Sequence, residues 1–406
     1  MDAMQFSQRS QAIPGALSVY FNDLVYKLRR RGNDITALSL GEAFFDIPML
    51  DFAKLDFVKG YHYSDSQGLP ELRDRIAAFY REQYAVGIDG GSEILVTAGS
   101  KIAIYMAILG TVNKGDTVLI HEPAWLSYQE HVRLVDAEPS FIPFDVPVSD
   151  FDAWFKLGTR MLVINNPNNP AGRIYSPQEL HTMVELCKKH KAWLLVDEAY
   201  SDFLEPGEFH SVLKFDPDKE VTIVANSLSK NMGMSGWRIG YLVANPLMIH
   251  AMVKLNQHLI TCAPTILQAY LHRYFDQIIA ITLPQARNVV AKRRRVLEKV
   301  RENGLTCLDG AATFYFFVAI GDFPGSSMDI ALYLLLCHNI SVVPGLAYGA
   351  STDRFIRVSI GTESEERIAD ALAVIKNVLA TRPDVPALVA EKMAELGFTP
   401  FEVKHG

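Results

Sequence analysis

The chain has 406 residues, more than one compact core usually holds, so two lobes are expected. Hydrophobic residues make up 49% and charged residues 21%, an ordinary globular balance that argues against disorder. With 39 Lys and Arg against 46 Asp and Glu the net charge is −7, which offers no basic surface for nucleic acid as the main partner. No apolar run approaches the roughly 18 residues of a membrane helix, and Met1 to Arg9 lacks an apolar stretch behind a positive head. Neither a membrane span nor a signal peptide is expected, and the reading is cytoplasmic. Cys187, Cys262, Cys307 and Cys337 are scattered without a C-x-x-C pair, so they read as reduced, mostly buried thiols and no metal site is expected.

From about residue 92 to 245, short apolar runs alternate with helical patterns. The predicted strands are Ile94–Thr97, Thr117–His121, Met161–Asn165, Trp193–Asp197, Val221–Ala225 and Gly240–Ala244. Their continuous Val, Ile and Leu content is that of strands buried on both faces. Between two of them, Ser176 and Glu179 form a capping box, Pro177 takes the first helical position, and Leu180, Met183, Val184 and Cys187 repeat at helical spacing. This β-α-β logic predicts an α/β fold, a three-layer domain with a mostly parallel sheet. A helix is predicted over Pro284 to Asn303, where the run Lys292 to Arg295 reads as a solvated face. Strands are then predicted at Ala312–Ile320, Ser341–Val343 and Phe355–Ser359, followed by a helix capped by Thr362 and Glu365, which together make a smaller α+β lobe. A turn at Arg382 to Pro386 leads to a short tail helix of unassigned purpose.

Several strand ends carry reactive groups. Lys230 lies just after a predicted strand among Ser227, Ser229, Gly233, Gly236 and Arg238. The carboxyl ends of sheet strands gather ligand sites, and an amine there can form a Schiff base while arginine and hydroxyls suit a phosphate. Asp197 ends another strand, where it can cap a turn or pair with a protonated ring nitrogen, and Tyr200 follows it. Ala98-Gly99-Ser100-Lys101 joins a strand to a helix amino terminus, an anion site made of backbone N–H groups. It matches neither a P-loop nor a dinucleotide fingerprint. Asn165 to Gly172 is a polar loop with two X-Pro bonds, and Trp125, after Glu122-Pro123, can stack on a flat group or fill a core. Together these groups meet the needs of pyridoxal 5'-phosphate: an aldehyde, a phosphate, a pyridine nitrogen, a ring oxygen and a ring face.

On these residues the sequence resembles the class I/II aminotransferases, the aspartate aminotransferase family of fold type I pyridoxal-phosphate enzymes, from about Pro14 to Leu379. The most specific stretch is Ser227-Leu228-Ser229-Lys230 running to Gly236-Trp237-Arg238-Ile239-Gly240. The resemblance implies that Lys230 forms the Schiff base and shuttles the proton, Asp197 holds the pyridine nitrogen protonated, Tyr200 and Asn169 bond the ring oxygen, and Trp125 stacks on the ring. It assigns Gly99, Ser100, Lys101, Ser227 and Arg238 to the phosphate, and Arg357, with Gly41, to the substrate α-carboxylate. Tyr63 matches a tyrosine that reaches the phosphate of a neighbouring subunit, which implies a homodimer with shared sites. The implied division is an arm with part of the small domain at 1–45, a large cofactor domain at 46–283, a small domain at 284–381 and a tail at 382–406.

Where the family carries N-P-T-G this chain has Asn169-Pro170-Ala171-Gly172, and Gly15-Ala16-Leu17 replaces a hydroxyl-bearing segment of bacterial aspartate-type enzymes. An amino donor less acidic or larger than aspartate is expected. The expected activity is transfer of an amino group between an L-amino acid and a 2-oxo acid. The alternative is a lyase, cyclase or oxidase of the same fold, since one cofactor supports all of these reactions. A regulatory protein without catalysis fits less well, because Lys230 is present and the segment before Pro14 is too short for a DNA-binding module.

Overall fold

The computed structural model describes residues 6–401. The start of Met1–Arg9 and the last five residues of the tail lie outside the described residues. Seven strands build the central sheet: β1 (Ile94–Thr97), β2 (Thr117–His121), β3 (Glu138–Ile142), β4 (Thr159–Asn165), β5 (Trp193–Asp197), β6 (Thr222–Ser227) and β7 (Gly240–Val243). Their order is β1-β7-β6-β5-β4-β2-β3. β2 to β6 pair in parallel, and β7 runs antiparallel to both β1 and β6. Alternate residues of one strand feed different cores: Leu194 and Val196 of β5 enter one apolar cluster, and Leu195 enters the cluster on the opposite face. That is why these strands read as unbroken apolar runs rather than as alternation.

Sequence reasoning missed β3. It lies at the sheet edge, pairs only with β2, and contains Glu138, Pro139 and Ser140. A polar edge strand has one neighbour and little burial, so no apolar run marks it. Helix Pro177–His190 has the expected capping box at Ser176 and Glu179.

The helix expected from Pro284 is longer. It spans Thr265–Glu302, 38 residues, with Pro284 inside it. Its first half sets Leu271, Phe275 and Ile278 in the large-lobe core, and its second half sets Ala286, Val296 and Val300 in the small-lobe core. Burial along two cores outweighs the breaking tendency of one proline. The basic run on this helix is not a uniformly solvated face. Arg293 is buried, stacked 4.5 Å over Phe316, and the Lys292 ammonium donates to the Ile360 carbonyl at 2.7 Å.

In the small lobe, Val343–Pro344, Phe355–Ser359 and Tyr315–Ala319 form an antiparallel sheet. Thr36–Ala37 pairs in parallel with Ile340–Ser341, which brings the amino-terminal segment alongside. Helix Glu365–Thr381 is capped by Ser364 rather than by Thr362: the Ser364 hydroxyl accepts from the Arg367 N–H at 3.2 Å. The tail helix Val385–Leu396 adds Val385, Val389 and Met393 to the small-lobe core. Of the cysteines only Cys187 is buried; Cys262 and Cys307 are half-buried and Cys337 is exposed, so the thiols are not mostly buried as expected. Among the described residues no helix is long and apolar enough to cross a membrane, and no group of side chains forms a metal cluster.

Candidate active site

A cavity of about 560 Å³ opens at the carboxyl ends of β5 and β6, closed from the other side by the small lobe. Strand β6 ends at Ser227, which caps the one-turn helix Leu228–Asn231 by accepting from the Ser229 N–H at 3.2 Å. That turn points Lys230 into the cavity, where its ammonium donates to the Gly41 carbonyl. Burial pulls the Lys230 amine down to about 8, opposed by the nearby Glu42 carboxylate and reinforced by Arg357 and Arg238. An amine so placed is much more readily deprotonated near neutral pH than a surface lysine.

Asp197 ends β5 and is buried. Its carboxylate accepts from the Tyr128 hydroxyl at 2.8 Å and from the Ala199 N–H at 3.1 Å, and its carbonyl takes the Asn165 amide at 2.7 Å. Burial pushes this carboxyl up to about 6, with those two donors opposing. Such a group is held for a cationic partner that a neutral environment does not supply. Tyr200 lies beside it, 3.0 Å from the Tyr315 hydroxyl and 3.4 Å from the Asn169 amide nitrogen.

The anion cradle is also assembled. Gly99 (φ +89°) precedes helix Ser100–Thr111, and a Cβ on Gly99 would come within 2.5 Å of an Arg238 guanidinium nitrogen. Only glycine lets Arg238 approach the helix amino terminus this closely. Arg238 donates to the Ser235 carbonyl at 2.8 Å and to the Ser229 hydroxyl at 3.5 Å. Lys101 sits 5.1 Å over the Trp125 ring, and both border the cavity. The peptide bonds before Pro123, Pro167 and Pro170 are cis.

Across the cavity, Arg357 on Phe355–Ser359 donates to the Ser39 carbonyl at 2.6 Å and to the Asn169 side-chain carbonyl at 3.3 Å. Its guanidinium lies 4.5 Å over the Tyr315 ring and 5.4 Å over Tyr348, and its Nε is buried without a partner. An orphaned donor on a buried arginine suits an incoming carboxylate.

The structure therefore gathers Gly41, Gly99, Ser100, Lys101, Trp125, Asn169, Asp197, Tyr200, Ser227, Lys230, Arg238 and Arg357 around one cavity. It leaves Tyr63 outside, 84% exposed, beside a separate surface hollow with Ala98 and Cys262. Sequence reasoning missed Tyr128, Tyr315, Tyr348, Ser18 and Asn22. Tyr128 stands one helical turn after Trp125, a spacing that could have marked it; the others carry no motif. Ala171, the departure from N-P-T-G, is buried in an apolar cluster with Phe317, Val343 and Tyr348.

An α/β domain with its cavity at the carboxyl ends of a mixed, mostly parallel sheet, completed by a small lobe, defines a fold type I enzyme. The family model for aminotransferase class I and II matches residues 41–375, and the chain belongs to that family. It is a pyridoxal-phosphate-dependent aminotransferase, a transferase. It is 30% identical to (5-formylfuran-3-yl)methyl phosphate transaminase of Methanocaldococcus jannaschii, covering 88% of this chain and 94% of that one. It is also 30% identical to an aspartate aminotransferase of Pyrococcus horikoshii, covering 85% and 91%. Among solved structures, an aspartate aminotransferase of Thermus thermophilus with maleate superimposes with a TM-score of 0.84 at 29% identity, over 92% of this chain and all of that one. The side chains around the cavity fit pyridoxal 5'-phosphate: an amine for its aldehyde, a buried carboxylate for its ring nitrogen, a glycine-lined helix terminus with arginine for its phosphate.

Proposed function

We propose that the Lys230 amine would hold the cofactor through its aldehyde and, when free, would carry the proton at the substrate Cα. The observation that supports this is the Lys230 amine, lowered by burial, in one cavity with Asp197, Arg238 and Arg357. The bound cofactor supplies an electron sink for the Cα electron pair. Asp197 keeps the ring nitrogen protonated, itself oriented by Tyr128. Tyr200 and Asn169 donate to the ring oxygen, and Trp125 covers the ring face. Gly99, whose own N–H goes to the Thr97 carbonyl, leaves backbone room for the phosphate, which Ser100, Ser227, Arg238 and Lys101 hold. Arg357 binds the donor α-carboxylate in a two-bond fork, and Gly41 closes over it.

The donor side chain then lies towards Ser18, Asn22 and Leu126, which are among the remaining residues that line the cavity. Two neutral polar side chains there favour an L-amino acid less acidic than aspartate. The exposed Tyr63, in a row with Tyr61 and Val58, supports a homodimer in which Tyr63 reaches the partner's phosphate site. We place the enzyme in the cytoplasm, and the lobes divide near residues 45, 283 and 381. No observation favours a lyase, cyclase or oxidase.

The test is an absorption spectrum of the protein with pyridoxal phosphate before and after adding single L-amino acids. Loss of the visible band with formation of a near-ultraviolet band, together with one 2-oxo acid per site, supports transamination and names the donor. No visible band after cofactor addition would overturn the role of Lys230.

A further inference from the structure

Among the described residues the chain after Arg382 has no side chain in the cavity, yet it is fastened to a helix that does. Helix Leu17–Arg30 buries Phe21, Leu24, Val25 and Leu28, all from its second turn onward. Its first turn starts at Ala16 with no side-chain cap, so local forces hold that turn weakly. Ser18 and Asn22, four residues apart on one face, are the two residues it sends into the cavity.

The tail holds the other side of this turn. After Leu396 the chain turns at Gly397 (φ +63°) and runs back along the helix. The Arg31 guanidinium donates to the Leu396 carbonyl at 2.9 Å and lies 4.9 Å over the Phe398 ring. The Tyr20 hydroxyl donates to the Thr399 carbonyl at 3.0 Å, and the Phe401 ring meets Tyr20 edge-on at 5.2 Å. Phe401 also reaches Gly15, where a Cβ would sit at 3.6 Å. Both clamped pieces lie outside residues 41–375, the part matched by the family model.

We propose that the carboxyl-terminal tail is a clamp that positions the first turn of this helix, and with it Ser18, beside an Asn22 already held by the core and by the Ser39 hydroxyl at 3.1 Å, and so sets which donor side chains the enzyme accepts. This rests on the reading that the donor side chain lies against that helix. The tail residues are positioning residues: they act on the substrate through the first turn of Leu17–Arg30 and leave the cofactor half untouched.

The experiment measures, for a panel of L-amino acids, the rate at which each donor converts the cofactor-loaded enzyme. L-Alanine is the reference, because its methyl group offers the helix the least to contact. Variants are a chain ending at Phe398, Phe401→Ala, Tyr20→Phe and, as the conservative rescue, Phe401→Leu. The ratio of the fastest long-chain donor to L-alanine is expected to fall about tenfold in the shortened chain and in Phe401→Ala. Phe401→Leu restores it, and pyridoxal phosphate affinity stays unchanged throughout. A ratio within about twofold of the parent, with or without lower thermal stability, overturns the clamp. If the shortened chain does not fold, Phe401→Ala decides. Ser18→Ala and Asn22→Ala separate the two ideas. If they change the ratio and the tail variants do not, the clamp fails alone; if none changes it, the placement of the donor side chain fails too.

Discussion

The two walls of the cavity are built in different ways. The sheet wall takes Ser100, Asp197, Ser227 and Lys230 from the carboxyl ends of β1, β5 and β6 and the turns that follow them. The opposite wall is stitched from distant parts of the chain: Arg357 to the Ser39 carbonyl at 2.6 Å, the Ser341 hydroxyl to Ser39 at 2.8 Å, and Tyr20 to Thr399. On the reading proposed above, the first wall serves the cofactor and the second serves the substrate, its α-carboxylate through Arg357 and its side chain through Ser18 and Asn22. Cofactor groups sit on rigid strand ends, and substrate groups sit where long-range packing adjusts positions.

Removing groups from the sheet wall should have the largest effects. Lys230→Ala is expected to lower the rate of cofactor conversion by an L-amino acid at least about 10³-fold, measured in single turnover; a loss under about tenfold would break the distinction between the walls. Asp197→Asn should cost on the order of 10²- to 10³-fold in the same assay while the enzyme still binds pyridoxal phosphate, because a neutral amide no longer favours the protonated ring.

The opposite wall should respond in KM. Arg357→Lys replaces a two-bond fork with a point charge and is expected to raise the donor KM roughly tenfold to a hundredfold with cofactor affinity unchanged. An equal loss of cofactor binding would show that Arg357 belongs to both walls.

The pH dependence sharpens the role of burial. The Lys230 amine, lowered by burial to about 8, is nucleophilic only when deprotonated. Capture of pyridoxal phosphate by the cofactor-free protein should therefore quicken as pH rises and level off above about 8. Stopped-flow absorbance checks this, and a rate still climbing at pH 10 would sink it. The smallest effect concerns the neighbour of Asp197. Glu198 faces away from the cavity, takes bonds from the Ser211 hydroxyl at 2.9 Å and the Val212 N–H at 3.0 Å, and is pushed by burial up to about 8. Its folded-state value lies above the unfolded one, so its contribution to stability is full at acid pH and is lost as pH rises to about 8. Glu198→Gln should flatten that decline in thermal-melt midpoint, by roughly 2 °C at alkaline pH.

Sequence alone determined six of the seven sheet strands and the wall they carry. These strands are buried on both faces, so burial writes an apolar run into the chain. Each following turn needs glycine, serine or proline at fixed positions, so Gly99, Asp197 and Lys230 stand at legible spacings. Sequence did not determine β3, whose edge position leaves no apolar run, nor the full length of Thr265–Glu302, which two cores hold helical through Pro284. It also missed Tyr315 and Tyr348 under Arg357, and Ser18 and Asn22 on the amino-terminal helix. Those residues meet the cavity only after segments hundreds of positions apart have packed. No local pattern encodes a contact between Tyr20 and Thr399; only the closing of the small lobe around its core brings the two ends of the chain together.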